Sequence, residues 1–355
     1  MTPINFSSHG LILHTSNRLE VLARQLAAGL QAAASPPLQP EIVLVQSQGM
    51  ARWLQLQLAG QIGLCANVQF PFPRAFVRQV FHAFDPSVPK IDPLHPSLVT
   101  WQVWELLPWL ARQPGGEPVE RYLNGDVEGR KRFQLAGRVA RLFDDYAVFR
   151  PELVLSWDQG RDTHWQALLW RRLREVHGRD HAAVLRSRFL KSLDEATERP
   201  SDLPGVVHLF GISALPPFHV EVFEKLGRWS AVHLFLLQPA SVYWGDVVSA
   251  KAALRRSDRV PPGPSELERH ESNSLVASLG GQGRDFLNVL LTLTDFNTRE
   301  DFVDPGDDTL LHAIQSDILN LRNRDASAPR SKVENTDDSV QVHSCHSPLR
   351  ELEVL

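Results

Sequence analysis

The chain reads as an α/β fold organised on a parallel sheet, and three observations predict it. From Leu11, LILHTSNRLEVLARQL passes from an apolar strand pattern through a polar turn into an amphipathic helix. IVLVQSQGMARWLQLQL over Ile42–Leu58 repeats that pattern, giving two strand–turn–helix units in tandem. Later, VVHLF (Val206–Phe210) and AVHLFLL (Ala231–Leu237) are continuous apolar runs of the kind buried on both faces of a parallel sheet, joined by a short helical crossover over Pro216–Leu226. Ligands of such sheets gather where the strands end, so the turns after the strands decide the chemistry.

The first turn reads His14, Thr15, Ser16, Asn17, Arg18. A nucleotide-hydrolysing domain needs glycines there to open space for a triphosphate and a Lys-Ser/Thr pair at the helix start. Neither is present, and Ser16 or Asn17 reads as a helix cap. The second turn, Gln46, Ser47, Gln48, Gly49, offers amides, a hydroxyl and a flexible backbone, with Arg52 one turn into the following helix. Such groups suit the phosphates and base edges of a single strand, and they equally make an ordinary capped turn; the residues alone leave both readings open.

Pro71, Pro73 and the stretch Pro86–Pro96 then shift the chain from α/β to mainly helical. Leu98–Arg112, Arg130–Phe149, Trp165–Val176 and Ala183–Ala196 carry apolar residues at helical spacing and read as a helical insert. Trp101, Trp104, Trp109, Trp165 and Trp170 concentrate there, where an aromatic on a helix is more often core than a base-stacking platform. Basic residues cluster at Arg74 and Arg78, at Arg130, Lys131 and Arg132 followed by Arg138 and Arg141, and at Arg171, Arg172 and Arg174; each cluster reads first as a solvated helix face. Within the insert, Leu142, Asp144, Asp145 and Arg150 place two carboxylates near an arginine. Carboxylates accept from cytosine amino groups and arginine pairs with guanine, while the plain alternative is a surface ion pair.

After Val206–Phe210 comes Gly211, Ile212, Ser213, where a helicase would carry the acids that bind magnesium and activate water. Arg255–Ser274 is polar and proline-rich, a loop. Gly280, Gly281 and Gly283 follow no strand and make a poor dinucleotide fingerprint. Leu310–Leu321 reads as a packing helix with an apolar face of Leu310, Leu311, Ile314, Ile318 and Leu321. Arg322–Asp338 reads as a charged linker, SVQVHSC from Ser339 as a new strand, and PLRELEVL as the start of a helix whose apolar face has nothing to pack on. His343, Cys345 and His346 lack a second ligand pair at zinc spacing, the acids Asp301, Asp304, Asp307 and Asp308 read as a solvated loop, and no Ser-His-Asp arrangement is placed. No catalytic or metal-ligating residue is therefore assigned.

At 355 residues and 43% hydrophobic, the chain can bury a large core in two or more units. Two cysteines, Cys65 and Cys345, argue against a disulfide framework and for a reducing compartment. A net charge of −4 disfavours a general polyanion binder, although a channel needs only its lining to be positive. With no basic leader and no long apolar span, the expected location is the cytoplasm, without membrane contact.

HTSNRLEVL and VLVQSQGMARWLQ, then ANVQFPFP over Ala66–Pro73, LFDDYAVFRPE from Leu142, FGISALPP from Phe210, YWGD from Tyr243, LLHAIQSDIL from Leu310 and HSCHSPLRELEVL from His343 run collinearly through the chain. Together they resemble the N-terminal portion of the exodeoxyribonuclease V gamma chain (RecC) family. The resemblance implies a superfamily 1 helicase-like (P-loop NTPase-like) parallel sheet domain with a mainly helical insert and a degenerate nucleotide site. It divides the chain into 1–85 and 201–321 as two parts of that domain, 86–200 as insert, 322–338 as linker and 339–355 as the start of a second α/β domain. It further implies a non-catalytic subunit of the RecBCD helicase–nuclease that holds RecB-like and RecD-like motors together, guides single-stranded and forked DNA, and helps to read the hotspot Chi in recombinational repair. No cofactor is implied in this chain; ATP and magnesium serve the partner subunits. The implied strand contacts are Gln46, Ser47, Gln48, Arg52, Phe72, Arg78, Leu142, Asp144, Asp145 and Arg150. Of these, Gln48, Arg52, Arg78 and Asp145 depart from the family's pattern, as does Arg141, which leaves the recognised sequence open. A divergent active helicase and the non-motor part of a two-subunit helicase–nuclease are the alternatives.

Overall fold

A computed structural model describes residues 10–32, 38–90, 92, 94–177, 181–248, 273–292, 296–324, 334 and 336–355. Six strands, β1 (Gly10–Ser16), β2 (Glu41–Leu44), β3 (Val68–Gln69), β4 (Val206–Phe210), β5 (Ala231–Leu237) and β6 (Phe296–Glu300), form one sheet in the order β3-β2-β4-β5-β1-β6. Every pairing is parallel, with His14 opposite Phe235 and His208 opposite His233. All strand ends therefore lie along one edge, and the turns after β1 and β2 are neighbours of the loop after β4. The apolar runs of β4 and β5 are buried along nearly their whole length, as strands covered on both faces must be.

The two tandem units are present as β1 with α1 (Leu19–Ala32) and β2 with α2 (Gln48–Ile62). On α1, Leu22 and Leu26 lie one turn apart and are fully buried, each contributing about 1.5–3 kcal/mol by removal from water. On α2 the buried set is Ala51, Leu54 and Leu58, which turns Gln48 and Arg52 outward; Ser47 caps the start and Gly63, in the left-handed region, closes the end.

The helical segment comprises α3 (Pro73–Phe84), α4 (Pro96–Leu110), α5 (Glu117–Leu123), α6 (Arg130–Phe149), α7 (Pro151–Asp158), α8 (Trp165–His177) and α9 (Ala182–Glu195). Helices α4 to α8 share a core of Val103, Leu107, Val139, Phe143, Trp157, Leu169 and Trp170. Leu185, Phe189 and Leu193 of α9 instead join the sheet core beside Phe81 and Phe218. Asp158 ties the helices at their ends: it accepts from Trp170 Nε1 at 2.9 Å, contacts His181 Nε2 at 2.9 Å and pairs with Arg174.

The sheet resumes with β4, the crossover α10 (Pro217–Leu226) and β5. Helices α11 (Ser274–Leu279) and α12 (Gly281–Leu291) follow, then β6, α13 (Leu310–Leu319) and α14 (Pro348–Val354). Gly280 and Gly283 serve packing, since a Cβ on either would stand 3.0–3.1 Å from the buried Trp244 ring.

Several expectations need correction. Strand β3 has two residues and β6 exposes four of its five, so neither shows a buried-strand pattern in sequence. Residues 339–345 form no strand, because a strand is defined by its ladder and no described residue pairs with them. Helix α13 buries Ala313, Ser316 and Leu319 and packs Ile318 against the core cluster around Trp244, while Leu311 is exposed and lines a surface cleft. The described end of the linker 322–338 and the residue that follows it cap α13: Asp337 Oδ2 accepts from the Leu310 amide at 2.7 Å and Ser339 Oγ from that of Leu311 at 3.1 Å. Most of the expected loop from Arg255, residues 255–272, lies outside the described residues.

Candidate nucleic-acid interface

The turn after β1 is closed by the chain itself. Asn17 Nδ2 donates to the Val303 carbonyl at 2.8 Å and its Oδ1 accepts from the Val303 amide at 2.9 Å, pinning the segment after β6 across the start of α1. Ser16 Oγ accepts from the Arg18 amide at 3.1 Å. Beside this clamp lies a cleft of about 610 Å³ lined by Arg18, Glu20, Leu311, His312 and Gln315 among others.

The turn after β2 is exposed and cross-linked to the loop after β4. Gln46 Nε2 donates to the Ala214 carbonyl at 2.9 Å, and Gln46 Oε1 accepts from the Ser213 amide at 3.3 Å and its hydroxyl at 3.2 Å. Ser47 Oγ accepts from the Met50 amide at 3.1 Å, so the capping reading holds for it. Gln48 and Arg52 face solvent, and neither has a side-chain partner among the described residues. The Val45 amide donates to the Pro71 carbonyl at 3.3 Å, which brings Phe72, 40% exposed, beside the same turn. Gln46, Ser47, Gln48, Arg52 and Phe72 thus gather at the carboxyl ends of β2 and β3.

Helix α3 leads from this group to the insert. Pro73 supplies its first turn, Phe76, Val77, Val80 and Phe81 its buried face, and Arg74 and Arg78, one turn apart, its flank. Arg74 binds Asp144 on α6 with one nitrogen and Asp92 at 2.7 Å with the other. Arg78 binds Asp92 at 2.7 Å and donates to the Pro89 carbonyl at 3.1 Å. Arg78 is thereby 12% exposed, with its guanidinium engaged by Asp92 and the Pro89 carbonyl.

Burial and charge separate the two carboxylates. Burial raises the Asp144 carboxyl above the ordinary range despite Arg74, with Asp92 and Asp145 adding repulsion. Asp92 is buried too, yet Arg74 and Arg78 together outweigh that and hold it below the ordinary range. Next to them His219 is buried, its Nδ1 without a hydrogen-bond partner among the described residues; burial and then Arg74 lower it to about 4.

Leu142 is half-buried on α6, and Asp145 and Arg150 face solvent. Arg150 ends α6 and starts α7, with its amide on the Tyr146 carbonyl at 2.9 Å and its carbonyl accepting from the Leu153 amide at 3.0 Å. No hydrogen bond or ion pair among the described residues joins Asp145 or the Arg150 side chain to the turn after β2. Other predicted basic groups are spent on structure: Arg171 on the Trp157 and Asp162 carbonyls, Arg172 on Glu175, and Arg132 on the Trp104 carbonyl at 2.6 Å with its guanidinium 3.8 Å above the Trp104 ring. Sequence reading missed Asp92 and Ser213, which sit in proline-rich or loop segments without periodicity and acquire partners only through the fold.

Deeper under the same sheet edge, His14, His208 and His233 are buried side by side across β1, β4 and β5. His14 Nε2 and His233 Nδ1 are 3.0 Å apart, and the His14 ring stacks on Phe235 at 4.4 Å. Burial, then the His233 charge, lowers His14 to about 3, and His208 is lowered well below its ordinary value for the same reasons.

Among the described residues no helix is long and apolar enough to cross a membrane, and no cluster of metal-ligating side chains occurs. A family model described as RecC, N-terminal domain, matches residues 11–321. The chain is 36% identical to RecBCD enzyme subunit RecC of Escherichia coli over 97% of its own length and 35% of that protein's. The corresponding proteins of Haemophilus influenzae and Mycolicibacterium smegmatis are 30% and 33% identical, again over 97% of this chain and over 36% and 31% of theirs. The chain therefore spans about a third of the length of the curated relatives it matches.

Proposed function

Because the chain belongs to the RecC family, we propose that it works as a non-catalytic DNA-channel and scaffold subunit of a RecBCD-type helicase–nuclease. In this role it associates with RecB-like and RecD-like motors, guides single-stranded DNA from forked ends and contributes to recognition of the Chi hotspot during double-strand break repair. The observation that carries the reading is the exposed group Ser47, Gln48, Arg52 and Phe72 at the carboxyl ends of β2 and β3. It combines hydrogen-bonding, cationic and aromatic groups where a parallel sheet presents its ligand.

The sheet is read as a superfamily 1 helicase-like core whose nucleotide site has degenerated. In support, the Asn17 carboxamide is fully used by Val303, and Gly211, Ile212, Ser213 follow β4 where acids for magnesium would stand. Asp144, with Oδ2 held by Arg74, has Oδ1 to accept from a cytosine amino group, and Arg150 suits guanine.

Co-purification of the chain, within its full-length protein, with the alpha and beta chains tests the scaffold role. In the assembled enzyme, Asp144→Ala and Arg150→Ala are expected to weaken the response to the hotspot while unwinding persists. A normal response in both variants removes these residues from the reading. The cleft of about 610 Å³ beside Arg18 favours a second reading, a divergent ATPase. Micromolar nucleotide binding by the isolated protein would establish it, and absence of binding would dismiss it.

A further inference from the structure

On the outer side of the insert, two aromatic rings lie open to solvent where helices α4 and α6 run side by side. Trp101 is 58% exposed and Phe133 46%, with their ring centroids 5.3 Å apart. The third ring of the row, Trp104, is half-buried and carries the Arg132 guanidinium over one face. Beyond Phe133 on α6 comes Gly137, whose missing side chain leaves Thr100 of α4 as the floor, 3.9 Å from where a Cβ would be. Arg141 then stands two turns past Phe133, about 12 Å along the helix, with Arg138 beside it. Both arginines are exposed, and neither is in an ion pair among the described residues. The neighbouring cations behave differently: Arg130 is paired with Glu128 at 2.7 Å, and Arg132 faces the charge of Glu105.

We propose that Trp101 and Phe133 form a stacking platform for a base of single-stranded DNA, with Arg138 and Arg141 taking the adjacent phosphates. The inference rests on the reading of the chain as a strand-guiding subunit and adds to it a second contact, on different side chains from the group at β2 and β3. Aromatic faces next to unneutralised arginines, with a flat glycine step between them, match the alternation of base and phosphate along an unpaired strand. A protein partner would need a surface with an apolar knob and an acidic rim, which makes it the competing occupant.

The test is fluorescence anisotropy of labelled oligo-dT with the whole 355-residue chain at low salt. Trp101→Ala and Phe133→Ala should each weaken binding about tenfold, the loss expected for one stacked base, and Trp101→Phe should restore most of it. Arg138→Gln should lower the slope of log affinity against log salt by about 0.7, one phosphate's worth. Since both rings are half exposed, unchanged circular dichroism and urea midpoints accompany these effects. If the parent binds and both alanine variants match it, the platform is refuted while the strand-guiding reading stands. If the parent does not bind oligo-dT at all, both fall. Loss of association with a motor subunit, with oligo-dT binding intact, assigns the rings to a protein interface and overturns the proposal.

Discussion

Arg74 on α3 and Asp144 on α6 are joined directly, and Arg74 at the same time holds Asp92, in the proline-rich segment after α3, at 2.7 Å. One guanidinium thus fixes the connection between sheet and insert, a task suited to a planar fork with several donors. Arg74→Ala leaves Asp144, 19% exposed, without its cation, while Asp92 keeps Arg78. Because Arg74 is itself 38% exposed, the expected loss is about 2 kcal/mol, below the 3–5 typical of a fully buried pair. Arg74→Lys should recover part of it. Urea midpoints at constant m value measure both, and a loss under about 0.5 kcal/mol for the alanine variant would show the junction to be held by apolar packing alone.

The tandem units, the buried strands β4 and β5, the crossover α10 and the long helix α6 were legible because their periodicity is set by burial of a whole face. Four of the five residues of β6, Asn297 to Glu300, are exposed, so that strand carries no such imprint. Helices α5 and α7 are short and begin at Glu117-Pro118 and Pro151, where the proline reads as a breaker although it suits a first turn. At the site, the exposure of Gln48 and Arg52 follows from the buried spacing Ala51, Leu54, Leu58 on the same helix. The commitment of Arg78 and Gln46 to partners does not follow from any local pattern, because Asp92, Ser213 and Ala214 reach them only through tertiary packing.

Acid should destabilise the fold more steeply than its carboxylates alone would cause. His14, His208 and His219 are buried, and burial lowers all three, His14 to about 3 and His219 to about 4 from 6.5. As pH falls below 6.5 the unfolded chain takes up protons that the folded chain refuses, so stability is full above that pH and declines below it. Each group contributes about 1.4 kcal/mol per pH unit, roughly 4 for three once the unfolded histidines are protonated. His208→Leu should remove about a third of this slope and move the acid midpoint to lower pH. Circular dichroism across pH 4–7 reads the effect, and an unchanged slope contradicts the assignment.

Gly211 is held in the left-handed region at φ 61°, directly after β4, with its amide on the Phe235 carbonyl at 3.0 Å. A Cβ there would stand 3.1 Å from Met50 Cε. Gly211→Ala therefore combines backbone strain with a contact that the flexible end of Met50 can partly relieve, a cost of about 1–2 kcal/mol. Because Ser213 of the same loop binds Gln46, the variant should also loosen the turn after β2, seen as faster amide exchange at Met50. A variant as stable as the parent would show that this loop already has room to adjust.

Arg52 provides a direct test of the strand contact proposed at the sheet edge. It is exposed, has no side-chain partner among the described residues, and lies on the face of α2 opposite the buried Leu54 and Leu58. Removing it costs no packing, so Arg52→Gln should leave urea stability unchanged within about 0.5 kcal/mol. If Arg52 neutralises one phosphate of a bound single strand, the slope of log affinity against log salt falls by about 0.7 and affinity drops alike for every base composition. Phe72→Ala, by contrast, should weaken binding with little change in slope, because stacking releases no counterion. Equal slopes for parent and Arg52→Gln would place the strand elsewhere, while a change in slope for Phe72→Ala would mean that the ring holds a cation in place rather than a base.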